Sequence, residues 1–433
     1  MGLMLVLFSY AIFVLAPKTA NADSVGTSSP SNTASALTSA ATIPVGISPY
    51  GVAINPSTNT IYVANFDSNT VSVISGTTNT VTATIPVGNQ PVGIAVNPST
   101  NTVYVANDGS NTVSVINGAT NTVSATIPVG SEPQGVAVNP STNTIYVTNN
   151  RSNTVSVING ATNTVVATIS VGTGPYAIAV NPPTNTIYVA NQNSNTVSVI
   201  NGTTNTVSAT IPVGIDPSAV AINPSTNTLY AAIAVSKTVS IINGTTNTVT
   251  ATILVGTPPF DIAINPSTNT LYSANGISNT VSIINGTTNT VTATILVGTY
   301  PFAIAINPST NTIYVANGRS NTVSVINAPL PPTGLTATVV SSSQINLSWN
   351  TPSSNGGSAI TGYMIERSVD NGTTWSIIVS NTDSTSTTYS DTGLHKKTTY
   401  TYRIHAINDL GISLPSNIVS ATTLKNNHLQ HHK

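Results

Sequence analysis

The strongest constraint on this sequence is a segment that recurs seven times at a fixed interval. The first copy, NPSTNTIYVAN, occupies residues 55–65, and related copies begin 42 residues apart at Asn97, Asn139, Asn181, Asn223, Asn265 and Asn307. Each unit has four stretches rich in β-branched residues, which in the first unit are GVAIN (51–55), TIYVAN (60–65), TVSVI (70–74) and TVTATIPV (80–87). Because Pro, Gly, Asn or Ser separates them, they predict four short strands, labelled a to d.

Seven units of four strands predict an all-β fold, a seven-bladed β-propeller over residues 40–327. Strand d also predicts how the ring closes. Its motif ATIxVG begins at residues 41, 83, 125, 167, 209, 251 and 293, so one copy precedes the first unit and none follows the last strand c at residues 322–326. We therefore expect the N-terminal copy to be the outer strand of the seventh blade, joining the two ends of the ring through main-chain hydrogen bonds.

The turns between strands have their own signals. NPSTNT connects strands a and b, with Pro56 restricting φ and Asn59 suited to the left-handed region. Most connections between strands c and d contain Asn-Gly, to which we attribute a tight reversal of the chain.

The repeats resemble those of YVTN-type β-propellers, which occur in archaeal surface-layer proteins and related bacterial exported proteins. YVTN stands at residues 146–149, YVAN begins at Tyr62, Tyr104, Tyr188 and Tyr314, and the flanking pattern SNTVSVING is shared. The fifth unit departs from the pattern, with YAAIAVSKTVSII in place of YVANxxSNTVSVI. The resemblance implies the fold and an extracellular setting, but no particular activity.

Residues 333–424 have no 42-residue period and are similar to a fibronectin type III domain. The similarity rests on Trp349 in INLSW, Tyr363 in ITGYMIERS, and Leu394 six residues before Tyr400. That last spacing suits a tyrosine corner, in which the phenol bonds to the main chain. Residues 328–332 (APLPP) predict a stiff linker, and residues 425–433 predict a polar tail.

The N-terminus predicts export. Residues 3–16 form one apolar run, and the ANA at residues 20–22 fits a signal-peptidase site, so we expect a signal peptide at 1–22 and a Ser/Thr-rich linker at 23–39. The alternative is an uncleaved anchor, but the run is shorter than the ~20 residues needed to span a bilayer. We expect a secreted or cell-surface protein with no membrane span after cleavage.

Composition argues against several classes of function. Charged residues make up 5% of the chain and the net charge is -1, so there is no electrostatic field to attract nucleic acid. All five His residues follow residue 394, and Cys is absent. We therefore predict no catalytic residue, no metal and no cofactor in the propeller, with a propeller lyase or lactonase as the alternative function.

Strand alternation divides the connections between two ends of the propeller. The a–b and c–d turns share one end, here the turn end, and their copies are nearly identical. The d–a and b–c loops share the other end, here the loop end, where copies diverge and carry most of the charges and loop aromatics. The predicted ligand-binding residues all lie there: Tyr50, Glu132, Gln134, Tyr176, Asp216, Phe260, Asp261, Tyr300 and Phe302.

Two questions stay open at the loop end. The aromatic rings suit stacking on a sugar or clamping a peptide, or they simply fill the axis and cover strand ends. Asp261 replaces the Gly or Ala of the other copies, so it either binds a cation together with Asp216 or Glu132 or is an isolated, solvated carboxylate.

These observations predict a non-catalytic binding or scaffold protein. Its expected partner is an extracellular neutral glycan or a polypeptide, including components of the cell envelope. The fibronectin-like domain is then a spacer or a second adhesive module, and cell adhesion is the expected setting.

Overall fold

The computed structural model describes residues 39–356 and 358–425. The predicted signal peptide, residues 23–38 of the predicted linker and residues 426–433 of the tail lie outside these ranges. Regular structure in the described ranges is almost entirely β, with two 3-10 helices at Asp108–Ser110 and Pro182–Thr184. Among these residues no helix is long and apolar enough to cross a membrane.

Residues 41–327 form seven four-stranded antiparallel sheets, and the first four follow one another along the chain. Sheet 1 contains Pro49–Asn55, Thr60–Asn65, Thr70–Ser75 and Thr80–Pro86. Sheet 2 contains Pro91–Asn97, Thr102–Asn107, Thr112–Asn117 and Thr122–Pro128. Sheet 3 contains Pro133–Asn139, Thr144–Asn149, Thr154–Asn159 and Thr164–Ser170. Sheet 4 contains Pro175–Asn181, Thr186–Asn191, Thr196–Asn201 and Thr206–Pro212.

The remaining three sheets repeat the arrangement, except that the last takes its outer strand from the N-terminal side. Sheet 5 contains Pro217–Asn223, Thr228–Ile233, Thr238–Asn243 and Thr248–Leu254. Sheet 6 contains Pro259–Asn265, Thr270–Asn275, Thr280–Asn285 and Thr290–Leu296. Sheet 7 contains Pro301–Asn307, Thr312–Asn317, Thr322–Asn327 and Ala41–Pro44.

The sheets are arranged as in a propeller, because the a strands of consecutive sheets contact one another and the a strand of sheet 7 contacts that of sheet 1. The apolar core lies between neighbouring sheets. Tyr62 of sheet 1 packs in one cluster with Val103 of sheet 2, and Tyr314 of sheet 7 packs in one cluster with Ile61 of sheet 1. Each fully buried aliphatic side chain in these layers contributes ~1.5–3 kcal/mol.

The predicted pairing of the two chain ends is present. Ala41–Pro44 runs antiparallel to Thr322–Asn327, with Ile43 opposite Val323 and 3% exposed. Consecutive sheets are also joined at the turn end by amide hydrogen bonds that the sequence analysis did not predict. An Asn at the end of each strand a donates to an Asn in the next a–b turn, as Asn55 does to Asn101 at 2.7 Å.

The c–d connections reverse the chain tightly, as predicted, but their Gly residues do not adopt the left-handed region. The left-handed residue of the first c–d turn is Asn79, at φ 53°, and not Gly76. Gly76 is required for space, because a Cβ there would lie 2.4 Å from Oδ1 of Asn59. The Asn before the Gly bonds to the turn itself, as Oδ1 of Asn117 accepts the main-chain N–H of Ala119 at 2.9 Å.

Residues 333–422 form a two-sheet sandwich. One sheet contains Thr333–Val339, Gln344–Asn350 and Thr388–Thr392. The other contains Ser376–Val379, Gly362–Ser368, Thr399–Asn408, Gly411–Ile412 and Val419–Thr422. The main-chain N–H of His395 donates to Oη of Tyr400 at 3.0 Å, which confirms the predicted tyrosine corner.

Candidate functional site at the loop end

An Asn in the b–c loop, present in all units except the fifth, holds the variable residue of the following d–a loop. Gln90 adopts the left-handed region at φ 54°, and its N–H donates to Oδ1 of Asn69 at 2.8 Å. The same bond recurs between Ser48 and Asn321, Glu132 and Asn111, Gly174 and Asn153, Asp216 and Asn195, and Tyr300 and Asn279. The scaffold uses only main-chain groups of the variable residue, so its side chain is free to differ.

The one exception falls in the fifth unit, which departs from the repeat at one of these two positions. Position 258 is Pro, which has no N–H and cannot adopt a positive φ. The residue that would have bound it, 21 positions earlier, is Lys237 in place of Asn. The N–H donor at position 258 and the amide acceptor at position 237 are therefore both missing from this pair.

Five aromatic side chains at the loop end form one group, the loop-end aromatic cluster: Tyr50, Phe66, Phe260, Tyr300 and Phe302. Tyr50 stacks on Phe302 with ring centroids 4.2 Å apart, and Phe302 stacks on Phe260 at 5.4 Å. All five residues are half-buried. Three other predicted aromatics, Phe260, Tyr300 and Phe302, therefore lie in one cluster with Tyr50, where sheets 6, 7 and 1 adjoin. Part of the surface of each residue stays exposed to solvent.

Tyr176, the fifth predicted aromatic, lies apart from the cluster on sheet 4 but reaches Tyr50 through its hydroxyl. The two hydroxyl oxygens are 2.9 Å apart, although the residues belong to sheets 1 and 4 of the ring. Burial raises the pKa of both phenols. This pair supports the axis-filling alternative for Tyr50 and Tyr176, because their side chains meet across the interior.

The polar predicted residues Glu132 and Gln134 lie around a carboxyl group that the prediction omitted. Gln134 Nε2 donates to Oδ1 of Asp108 at 2.8 Å. Burial, and then the charge of Glu132, raises the pKa of Asp108 to about 6, despite the Gln134 bond. An open polar cavity of about 320 Å³ lies here, and Arg151 at its edge pairs with Glu132 at 3.3 Å.

Asp261 is held by the main chain of two sheets. Its Oδ1 accepts the N–H of Ile262 at 2.8 Å, and its Oδ2 accepts that of Ile304 on sheet 7 at 2.9 Å. Burial raises its pKa to about 7, although both bonds act in the opposite direction. The expected isolated, solvated carboxylate is therefore wrong.

The possible cation site was expected to combine Asp261 with Asp216 or Glu132. In the described ranges there is no group of three or more His, Cys, Asp or Glu side chains placed to hold a metal ion. Asp216 is half-buried, and burial raises its pKa as well.

Phe66, Asp108 and Arg319 also belong to this site, although they are not among the predicted binding residues. Phe66 contacts Tyr50, and the Arg319 guanidinium lies 4.2 Å above the ring of Tyr300. All three lie in b–c loops, which diverge among the copies as strongly as the d–a loops do. The divergence of the b–c loops among the copies is the sequence signal that could have identified these three residues.

Models of two known protein families match segments of the chain, one in each of its two parts. A fibronectin type III domain model matches residues 330–422, and a YNCE-like beta-propeller model matches residues 131–234. The predicted combination of a propeller repeat with a C-terminal fibronectin type III domain is confirmed. Among solved structures, the chain is similar to hydrazine synthase of Kuenenia stuttgartiensis, with a TM-score of 0.60 and 21% identity over 65% of this chain and 96% of that chain. This likeness concerns the fold alone.

Several curated proteins are similar to the chain over short segments. Titin of Drosophila melanogaster is 34% identical over 97 residues, 22% of this chain and 0% of titin to the nearest percent. An alpha-amylase of Niallia circulans is 39% identical over 104 residues, 24% of this chain and 7% of the amylase. Exoglucanase B of Cellulomonas fimi is 35% identical over 97 residues, 22% of this chain and 8% of the enzyme. The chain therefore spans less than a tenth of the length of each of these relatives.

Proposed function

We propose that this protein is an exported, cell-surface binding and scaffold protein without catalytic activity, whose seven sheets form a seven-bladed propeller and whose loop end binds a neutral glycan. The loop-end aromatic cluster is the observation that carries the proposal. Its rings are half-buried, so each is fixed by its neighbours and still has surface that a ligand can cover. Aromatic rings held in this way bind the apolar faces of sugars at little cost in side-chain entropy.

Polar groups on another part of the loop end, at sheets 2 and 3, add chemistry that a sugar needs. Asp108 and Glu132 line the polar cavity and supply acceptors for hydroxyl groups, while Gln134 holds Asp108 in place. The small net charge disfavours a ligand that is bound through long-range attraction. A neutral polypeptide shares part of this chemistry and is the other outcome of the binding experiment.

The domain combination supports the scaffold role and the extracellular setting. Propeller and fibronectin type III domains fit binding or structural work. Similar segments occur in an alpha-amylase and an exoglucanase. These similarities support the proposed cell-surface setting, and cell-envelope glycans are the proposed partner class.

Asp261 favours a second candidate, a propeller enzyme of the lyase or lactonase type. A carboxyl group with a pKa of about 7 suits general acid or base catalysis. Against this role, both oxygens already accept main-chain hydrogen bonds that join sheets 6 and 7. These bonds favour a structural role for Asp261.

A glycan array and a pull-down from source cell envelope test the proposal. A variant with Tyr50, Phe260 and Phe302 changed to Ala should lose binding, while a control with Thr58, Thr100 and Thr142 changed to Ala at the turn end should bind normally. Equal binding by both variants would contradict the loop-end assignment. Binding to envelope protein and to no glycan would replace the glycan by a polypeptide, and turnover of a lactone or glycan that Asp261→Asn abolishes would favour the enzyme.

A further inference from the structure

The fibronectin type III domain inserts one turn into a cleft between sheets 6 and 7 at the turn end. Leu410 of this turn is 3% exposed and packs with Tyr272 of sheet 6 and Ile326 of sheet 7. Asn311, in the a–b turn of sheet 7, donates from Nδ2 to the main-chain oxygen of Ile412 at 2.8 Å. The inserted turn is thus held by one apolar side chain and one hydrogen bond to its main chain.

The middle position of the inserted turn must be Gly. Gly411 has a φ of 131°, which disfavours any side chain, and a Cβ there would lie 2.9 Å from Oη of Tyr272. The cleft therefore accepts an aliphatic–Gly–aliphatic turn and excludes a turn with a side chain at its centre.

The same cleft recurs between sheets 5 and 6, where no segment of the described chain fills it. Tyr230 and Asn269 stand 42 positions before Tyr272 and Asn311. Together with Thr226 and Thr228 they line an open cavity of about 270 Å³. Thr226 is exposed, whereas Thr268, its equivalent beside the inserted turn, is 7% exposed.

The hydrogen-bond donor of the open cleft is not fully used. Oδ1 of Asn269 accepts from Asn223 at 2.8 Å, which is the bond between neighbouring sheets. Its Nδ2 reaches only Oγ1 of Thr287 at 3.4 Å, at the long limit for a hydrogen bond. The equivalent Nδ2 of Asn311 donates to a main-chain carbonyl oxygen at 2.8 Å. Nδ2 of Asn269 can therefore donate to a carbonyl oxygen of a bound turn in the same way.

We propose that this open cleft docks a turn of the same chemistry from a partner polypeptide, an exposed aliphatic–Gly–aliphatic turn such as that of another fibronectin type III domain. The chain's own turn in the equivalent cleft identifies the occupant. The clefts repeat with the sequence unit, so the turn end provides a series of docking positions around the ring. This inference concerns the turn end and does not depend on ligand binding at the loop end.

A photo-crosslinking experiment on the full-length protein tests the inference. The probe is a cyclised peptide with the sequence of residues 407–413, INDLGIS, carrying a photoreactive leucine at its Leu position. We expect cross-links to Tyr230 and to the threonines around it, mapped by mass spectrometry. A probe with Val in place of Gly should give at least tenfold fewer cross-links, because the added side chain meets the tyrosine hydroxyl.

A single substitution in the protein provides the matched control. Asn269→Asp keeps the oxygen that binds Asn223 but removes the Nδ2 donor, so labelling at the cleft between sheets 5 and 6 should fall about tenfold. Labelling at the cleft between sheets 4 and 5, beside Tyr188 and Asn227, should stay unchanged in the same molecule. Absence of turn-end cross-links at millimolar probe, equal labelling by the Val probe, or unchanged labelling in Asn269→Asp would overturn the proposal.

Discussion

Asn307 donates a hydrogen bond from Nδ2 to Oδ1 of Asn59 at 2.7 Å, across 248 positions of sequence. Sheet 7 is thereby joined to sheet 1 by the same type of Asn–Asn hydrogen bond that links the other consecutive sheets. The N-terminal strand Ala41–Pro44 closes sheet 7 itself, at its outer edge. These two elements act at different distances from the axis and add to the apolar packing between sheets 7 and 1.

Removal of the outer closing strand should destabilise the protein. A chain beginning at Ile47 lacks the ladder to Thr322–Asn327 and the buried side chain of Ile43, which alone contributes ~1.5–3 kcal/mol. We expect a lower melting temperature by calorimetry, with aggregation through the exposed edge of strand c. A chain beginning at Asp23 is the control, and equal melting of the two would disprove closure by this strand.

The two closing elements should be energetically coupled. Asn307 is fully buried, so Asn307→Ala removes the bond and leaves Asn59 short of a donor, at a cost of about 1–3 kcal/mol. Because both elements hold the same junction, the substitution combined with the truncation should cost more than the sum of the two. Asn139→Ala, which breaks the equivalent bond within the ring, should be additive with the truncation in urea denaturation.

Tyr272→Phe should stabilise the protein. The fibronectin type III domain buries the Tyr272 hydroxyl, which has no hydrogen-bond partner in the described chain, and burial raises its pKa. Since an unsatisfied buried polar group costs about 1–3 kcal/mol, its removal should raise the free energy of unfolding by about 1 kcal/mol. Tyr230→Phe, at the open cleft, should have little effect, and a loss of stability in Tyr272→Phe would mean that the hydroxyl is bonded.

Asp261 should make stability fall as pH rises. Its pKa is 3.8 as a free side chain and about 7 in the folded protein, so the folded state binds the proton more tightly. The stabilisation is complete below about pH 4 and is lost as pH rises through about 7, by no more than about 4 kcal/mol in total. The difference in unfolding free energy between wild type and Asp261→Asn should change over this range; a constant difference would show that the carboxyl group titrates normally.

Ligand binding at the loop end should be weakly sensitive to salt. With Tyr50, Tyr176, Phe260 and Phe302 all changed to Ala, we expect affinity to fall by a few kcal/mol at most, as for desolvated aromatic contacts. Raising the salt concentration should change the wild-type affinity little, because screening acts on charged contacts. Calorimetric titration at two salt concentrations measures both effects, and a steep loss at high salt would point to Arg151 or Arg319 as the main contact.

The sequence by itself determined the strands, the turns and the pairing of the two chain ends. Local signals suffice for these features: Asn59 marks a left-handed turn, and ATIPVG before the first unit identifies a strand whose partner is missing at residues 322–326. The division into a uniform turn end and a divergent loop end follows from strand alternation alone. The fibronectin type III domain was predictable for the same reason, since Leu394 and Tyr400 lie close together in sequence.

Only the tertiary structure decided which distant side chains meet. Tyr50 and Tyr176 are 126 positions apart, and their hydroxyls meet because the ring brings sheets 1 and 4 to a shared interior. The sequence predicted Asp261 as a cation ligand or a solvated carboxylate. Instead it accepts a hydrogen bond from the N–H of Ile304, because the a strands of adjacent sheets lie close enough for a side chain to reach the next main chain. The insertion of Leu410 beside Tyr272 likewise depends on shape, because the same Tyr and Asn occur in the neighbouring clefts and only the position of the second domain selects one of them.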